Sequence, residues 1–417
     1  MNVLLSDTFA ALRHRNFRLF YTGQGISLTG SWMQAVALNW LALVLTDSAF
    51  YLGLIGALQT LPIFLFSFLG GVAADRYPKR TLLFATQGAM LLLALALGLL
   101  VDARLITVWL LGLLVFLGGS AMAFDIPIRQ AFIVELVGKP DLANAIALNS
   151  TLFNGTRVVG PALAGMCIAA FGLANCFYLN GLSFLAVLAA LAVIRLPAVA
   201  APPRTSVTQA FRELKDFLRA RPALRLVLVL MTLVSILGHP YYVLIPVLAR
   251  DVLGAGPRGY GLLMAASGLG AFVGGLSLAR RLRHRPPMPS FLGGTALFLL
   301  GVLALSLSRH LALAAAAMAV TGFGMTTQLS TGNSLLQLNV PDHLRGRLMS
   351  LFGLIIIGST PVGSLLYGGV AQHLGVQPTF ALGSLAAGLG VAVVLLRYPD
   401  LWKLGFSELT APDLKAP

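Results

Sequence analysis

The stretch SAFYLGLIGALQTLPIFLFSFLGGVAADRYPKRTLLFATQGAMLLLALALGLLV, residues 48–101, holds one dense charged turn between two long apolar runs. Residues 48–74 give 27 consecutive positions without a charge, and residues 81–101 give 21 more. Between them Asp75, Arg76, Lys79 and Arg80 crowd around Pro78. A helix needs about 20 apolar residues to cross a bilayer. Each run is long enough to span, and the charges mark where the chain re-enters water.

The rest of the chain repeats this pattern. Its 417 residues are 58% hydrophobic and only 10% charged, with mean hydropathy +0.87. A soluble globular chain carries roughly 25% charged residues, so this one is an integral membrane protein. Reading between charges gives twelve runs: residues 19–46, 48–74, 81–101, 105–124, 142–172, 175–194, 226–249, 259–279, 288–308, 311–340, 348–372 and 377–396. The divisions at FGLAN and HLGVQP contain no Lys, Arg, Asp or Glu and rest on turn chemistry alone.

The net charge is +15. In a soluble chain that would point to nucleic acid; here basic residues are expected to gather on the cytoplasmic side. With the N-terminus inside, the inner segments hold 24 of the 29 Lys and Arg. The outer turns hold four, Arg104, Arg250, Arg258 and Arg309, and Arg157 lies within a span. Both termini are therefore expected in the cytoplasm, in a multi-pass protein of the bacterial inner membrane without a nucleic-acid partner. The first residues lack a short apolar run ending in a cleavage site, so no removable signal peptide is expected. Cys167 and Cys176 have neither metal nor redox spacing and read as small packing residues. No metal and no cofactor is expected, and without a phosphate-binding loop no ATP hydrolysis by that route; the chain is not expected to be an enzyme.

The longest charged interval divides six spans from six. The expected organisation is a six-helix bundle over residues 1–195, a cytoplasmic linker over 196–222, a second bundle over 223–397 and a cytoplasmic tail over 398–417. Within the linker, Val207, Phe211, Leu214 and Leu218 recur at helical spacing among charged residues, which predicts an amphipathic helix lying at the interface. The halves echo each other. Pro140-Asp141 and Pro341-Asp342 are each followed, about twenty residues on, by a proline, Pro161 and Pro361. Repeated six-span halves are the mark of a transporter whose substrate site lies near the midplane.

GGVAADRYPKR resembles the loop between helices 2 and 3 of the major facilitator superfamily, through Gly71, Asp75, Arg76, Lys79 and Arg80; Pro78 departs from it, since that loop often has Gly there. The second half keeps a degenerate copy, GGLSLARRLRHR, without an acid. FDIPIRQAFIVELVGKPDLANAIALNSTLFNGTRVVGPALAG and NVPDHLRGRLMS resemble the branch containing the enterobactin exporter and related efflux carriers. The similarity covers about residues 10 to 400. It implies an all-α membrane fold of twelve helices in two pseudo-symmetric bundles. It also implies a secondary carrier, an exporter of a siderophore or drug-like molecule working by alternating access, with proton antiport as a coupling mode. A small-molecule substrate, membrane lipid and protons are the expected partners, and a monomer the expected state. A lipid or lysophospholipid flippase of the same fold is the alternative, with a non-transporting receptor or partner protein beside it.

The resemblance implies further roles. An acid on helix 4 can pair with the basic part of the helix 2–3 loop, so Asp75, Arg76 or Lys79, and Asp125 are expected to form a gating latch, with Arg129 beside them. Asp75 would face the N-terminus of helix 11, where the helix dipole favours an anion. Gly160, Pro161 and Gly165 resemble the helix-5 motif of antiporters, with the upstream glycine displaced to Gly155.

Ionisable residues in lipid are costly and need a reason. Arg157 is the only basic residue deep in a span, sharing a helical face with Ser150, Asn154 and Pro161. It reads either as a cation for an anionic substrate group or as a structural Arg locked by neighbouring carbonyls. His239, between Gly238 and Pro240, reads either as a coupling or cavity residue with Tyr241 or Tyr242, or as a packed histidine. Pro240 and Pro246 predict a discontinuous helix 7. Gln24, Ser27, Ser31 and Gln34 form one polar face; Ser330, Asn333, Ser334 and Gln337 form another; Gln59 adds to them. These line a cavity or bond helix to helix. Phe153 and the PIFLFSF segment could supply apolar walls. No Asp or Glu lies at mid-membrane depth, so Asp125 and His239 are the candidates for a coupling proton.

Overall fold

A computed structural model describes residues 9–138, 140–194, 207–281 and 287–399. Among them are 12 helices long and apolar enough to cross a membrane. They are α1 (Arg15–Thr46), α2 (Ala49–Arg76), α3 (Lys79–Asp102), α4 (Val108–Val137), α5 (Leu142–Phe171), α6 (Leu173–Val193), α7 (Pro222–Val252), α8 (Gly256–Leu278), α9 (Pro287–Leu307), α10 (Leu311–Leu338), α11 (Arg347–Leu374) and α12 (Val376–Arg397). Helices are the form such segments must take, because hydrocarbon offers backbone N–H and C=O groups no other partner. The fold is the all-α, twelve-span architecture expected from the sequence. Residues 195–206 at the start of the linker, the basic segment 282–286 and nearly all of the tail lie outside the described residues.

The two uncharged divisions are turns built on glycine. α5 stops at Gly172 and α11 at Gly375, with φ of +89° and +83°. Side chains strain there, so glycine lets α6 and α12 start at the next residue. α7 is discontinuous as expected. Its regular helix Pro222–Leu237 gives way to a 3-10 segment His239–Leu244 and a π turn Leu248–Val252. Pro240 and Pro246 supply no N–H to continue the ladder.

Span ends differ from the sequence reading in one instructive place. α4 was expected to end at Phe124, before Asp125. It continues through Pro127 to Val137, because Asp125 is buried and bonded rather than placed at a water boundary.

The chain forms two compact units. The first comprises Met1–Asp47, Leu58–Pro202 and Gly256–Ala265; the second comprises Ser48–Ala57, Pro203–Ala255 and Ala266–Pro417. In the first, α1 packs on α5 and α6, and α3 on α4 and α6. One core gathers Phe17, Phe20, Leu83, Ile128, Phe132 and Leu191. In the second, α10 and α12 pack on α9. A core of Leu224, Leu228, Met231, Phe291, Leu336 and Leu348 also takes in Leu214 of the linker helix, Val207–Arg219. That helix is thus anchored to the bundle through Leu214. The side chains of Val207 and Phe211 lie outside the described residues.

Candidate functional site

In the first unit the most buried acid gathers a polar cluster from three helices. The Asp125 carboxylate on α4, 2% exposed, accepts from Thr86 Oγ1 at 2.9 Å and Gln87 Nε2 at 2.8 Å, both on α3. Arg129, one turn along α4, brings Nε to 3.6 Å of Asp125, and its Nη1 donates to Gln24 Oε1 on α1 at 2.9 Å. A buried carboxylate in a span is tolerable only with such donors and a countercharge. Two amide atoms at the same cluster, Gln24 Nε2 and Gln87 Oε1, are buried without a partner among the described residues. The cluster is therefore unsaturated, able to accept one further donor and one further acceptor.

The expected latch is redistributed. Asp125 does not meet the helix 2–3 loop; Lys79 instead pairs with Glu135 of α4 at 2.6 Å. Arg80 donates to the terminal carbonyls of α6, Leu191 at 2.7 Å and Ala192 at 2.9 Å. The physical reason is reach: Asp125 lies three turns inside α4, whereas Glu135 lies near its end, level with the loop. Asp75 and Arg76 are exposed at the end of α2, and Gly71 is half-buried with open space where a Cβ would stand. Of the latch residues the structure thus brings together Asp125 and Arg129, and separately ties down Lys79 and Arg80.

Arg157 is half-buried on α5, with its guanidinium 5.9 Å from the Trp32 ring of α1. Trp32 meets Phe153 edge-on at 5.6 Å, and Phe153 is 44% exposed. The group combines a cation with two aromatic faces, a surface suited to an anionic, ring-bearing solute. Asn154, on the same helix, donates to its own Ser150 carbonyl at 2.8 Å. Close contact holds α5 to α1: a Cβ on Gly160 would strike Trp32 and come within 2.9 Å of the Thr29 carbonyl.

The polar face of α1 divides its work. Gln24 is committed to Arg129, and Gln34 Oε1 accepts from Asn180 of α6 at 2.7 Å. Ser31 donates to its own Ser27 carbonyl at 2.9 Å and stays half-buried, as does Gln59 on α2. Two of the expected cavity residues are therefore interhelical bonds.

In the second unit His239 is buried. Its Nδ1 lies 3.4 Å from Ser235 Oγ and its Nε2 3.4 Å from Gln328 Oε1 of α10, with Phe298 edge-on at 5.2 Å. Gln328 Nε2 and Thr331 Oγ1 are buried there without a partner among the described residues. Tyr241 is buried against Phe298 and Phe380, while Tyr242 is half-buried. Asn333 and Gln337 are half-buried on α10 and bond to each other at 2.9 Å. The His239 group and the Asn333–Gln337 pair are distinct along α10.

Sequence reasoning missed Thr86, Gln87, Glu135, Asn180, Gln328 and Thr331. A Thr-Gln pair inside an otherwise apolar run was the available signal for α3. Among the described residues no group of His, Cys, Asp and Glu is arranged to hold a metal ion.

The sequence matches the transmembrane secretion effector family over residues 6–410. It is 26% identical over 369 residues to the staphyloferrin A transporter of Staphylococcus aureus, covering 88% of this chain and 92% of the relative. It is 28% identical over 395 residues to the multidrug efflux pump Tap of Mycolicibacterium fortuitum, covering 91% and 94%. The enterobactin exporter EntS of Salmonella choleraesuis is 27% identical over 393 residues, with 91% of each covered. In fold, the chain superposes on a bacterial homologue of the iron transporter ferroportin with a TM-score of 0.69 at 18% identity, over 92% of this chain and 98% of that one. Family coverage of nearly the whole chain and twelve spans in that fold leave one conclusion: the chain belongs to the transmembrane secretion effector family of major facilitator transporters, a multi-pass membrane protein of the efflux type and not an enzyme.

Proposed function

We propose that this protein exports a small organic molecule, siderophore-like or drug-like, across the cytoplasmic membrane by alternating access, in exchange for protons. The observation that carries the coupling is the Asp125 cluster. A carboxylate is held inside a span by two neutral donors and one cation, with two further polar atoms unsatisfied beside it. Protonating Asp125 removes the charge that offsets Arg129, and the cluster must then rearrange. That is a local change with two states, which a carrier can tie to its cycle. His239 is the second candidate for a proton, in the other unit.

The cargo reading rests on the relatives, whose names cover a siderophore transporter, a drug pump and a siderophore exporter. Arg157 beside Trp32 and Phe153 favours the anionic members of that range. Asp75, exposed at the end of α2, keeps its proposed gating role, now without Asp125 as its partner. The protein acts as a monomer with both termini in the cytoplasm.

The test uses proteoliposomes carrying a pH-sensitive dye. Transported substrate should move protons in the opposite direction. Flux with no pH change would sink antiport while leaving export intact. Substrates to load come from a thermal-shift screen against polycarboxylate and catecholate siderophores and cationic antibiotics, because a bound ligand raises stability by mass action.

A further inference from the structure

We propose that the second unit carries a binding site for an anionic phospholipid, in the groove between the linker helix, the start of α7 and α11. The groove, of about 330 Å3, is lined by Leu214, Lys215, Leu218, Arg219, Arg225 and Leu351. Three leucines form its floor and three cations its rim.

The sequence builds this rim locally. Lys215 and Arg219 are four residues apart on one helix, so they stand on the same face. Arg225 enters from the first turn of α7, and all three are exposed. The helix presenting them is fixed at several points. Leu214 is buried in the core, Glu213 pairs with Arg347 of α11, and Arg221 stacks over Phe217 at 4.1 Å. The backbone that carries the cations is therefore held in place before any ligand arrives, which lowers the ordering cost of binding. Two acids lie nearby among the described residues: Glu213, already paired with Arg347, and Asp216. Asp216 Oδ1 stands 3.7 Å from Arg219 Nη1, but the two side chains are 73% and 64% exposed, and a pair so open to water offsets little.

Charge and shape name the occupant. A lipid phosphate at the rim would meet three cations while an acyl chain lies along Leu214, Leu218 and Leu351. A zwitterionic lipid brings its own cation and gains far less. A free phosphate would leave the leucine floor uncovered. The groove opens at the ends of α7 and α11 that the basic-residue bias assigns to the cytoplasmic leaflet. Occupancy would tie the linker helix to both spans.

The full chain is purified in neutral detergent and incubated with dioleoyl phosphatidylglycerol or phosphatidylcholine; retained lipid is counted by native mass spectrometry. The wild type should retain phosphatidylglycerol at least tenfold better. A Lys or Arg near an anionic headgroup contributes about a factor of five, so K215Q/R219Q/R225Q should cut retention tenfold or more. Arg104→Gln, at an outer turn, should change nothing. A smaller loss in the triple variant, equal retention of the two lipids, or displacement by excess inorganic phosphate would overturn the assignment. If the triple variant is not monodisperse, Lys215→Glu, at an exposed position, is read in the same way.

Discussion

At the scale of single residues, Arg157 is legible in the sequence because a charge inside an apolar run has no cheap explanation. Asp125 is legible only through the resemblance that pairs an acid on helix 4 with the helix 2–3 loop. Their surroundings are not, since Thr86, Gln87 and Trp32 are residues that any span tolerates. The structure adds those partners, and they separate two substitutions of Asp125. Asn keeps an oxygen for Thr86 and Gln87 but removes the charge facing Arg129. The expected result is a folded protein that binds substrate, seen by thermal shift, yet moves no protons in proteoliposomes. Leu takes the acceptor from Gln87 Nε2 and the countercharge from Arg129, and should lower stability by about 3 kcal/mol. An Asp125→Asn variant with unchanged proton movement would remove this carboxylate from coupling. Arg157 is tested by affinity. A charge-assisted contact contributes about 1.5–3 kcal/mol, so Arg157→Ala should weaken an anionic substrate roughly ten- to a hundredfold. Cationic compounds should bind as before. Unchanged affinity for anions would return Arg157 to a structural role.

At the scale of elements, the twelve spans follow from the distance between charges, and the two uncharged turns follow from Gly172 and Gly375. What the sequence hides is where a helix stops once its charges are satisfied internally. Asp125 reads as a boundary, yet α4 passes it by twelve residues. The same limit applies to the small residues of α5, whose neighbours are set by tertiary packing. A Cβ on Gly165 would lie 2.9 Å from the Pro257 carbonyl and 3.0 Å from Gly261 Cα, all within the first unit. Those are backbone atoms and cannot swing aside. Gly165→Val should therefore cost about 1–3 kcal/mol as overpacking, read as a lower melting temperature. Gly155, with nothing within 4 Å of a built Cβ, offers the contrast. Gly155→Ala should be neutral or gain up to about 1 kcal/mol from helix propensity. Equal effects at the two sites would show that helix packing at Gly165 is looser than its geometry implies.

At the scale of the whole molecule, two features of the sequence carry the reading: the echo between halves and the asymmetry of its basic residues. The first leads to the carrier fold. The second bears on gating and orientation. If Asp75 gates the cycle, Asp75→Asn should abolish transport while the protein remains in the membrane and still binds substrate; normal flux would end that role. Orientation is argued from 24 inner against four outer Lys and Arg, a bias that sets topology because basic segments are retained on the cytoplasmic side during insertion. Single cysteines can read it directly. Cys167 and Cys176 are buried and can be replaced by Ala to give a silent background. Leu105 follows α3 and is 65% exposed; Tyr77 follows α2 and is 60% exposed. The two sit at opposite ends of one span, so they must report opposite sides. In intact cells, a membrane-impermeant maleimide should label Leu105→Cys and reach Tyr77→Cys only after lysis. The reverse pattern would invert the molecule, put the basic linker and its lipid groove outside, and make the proposed direction of export untenable.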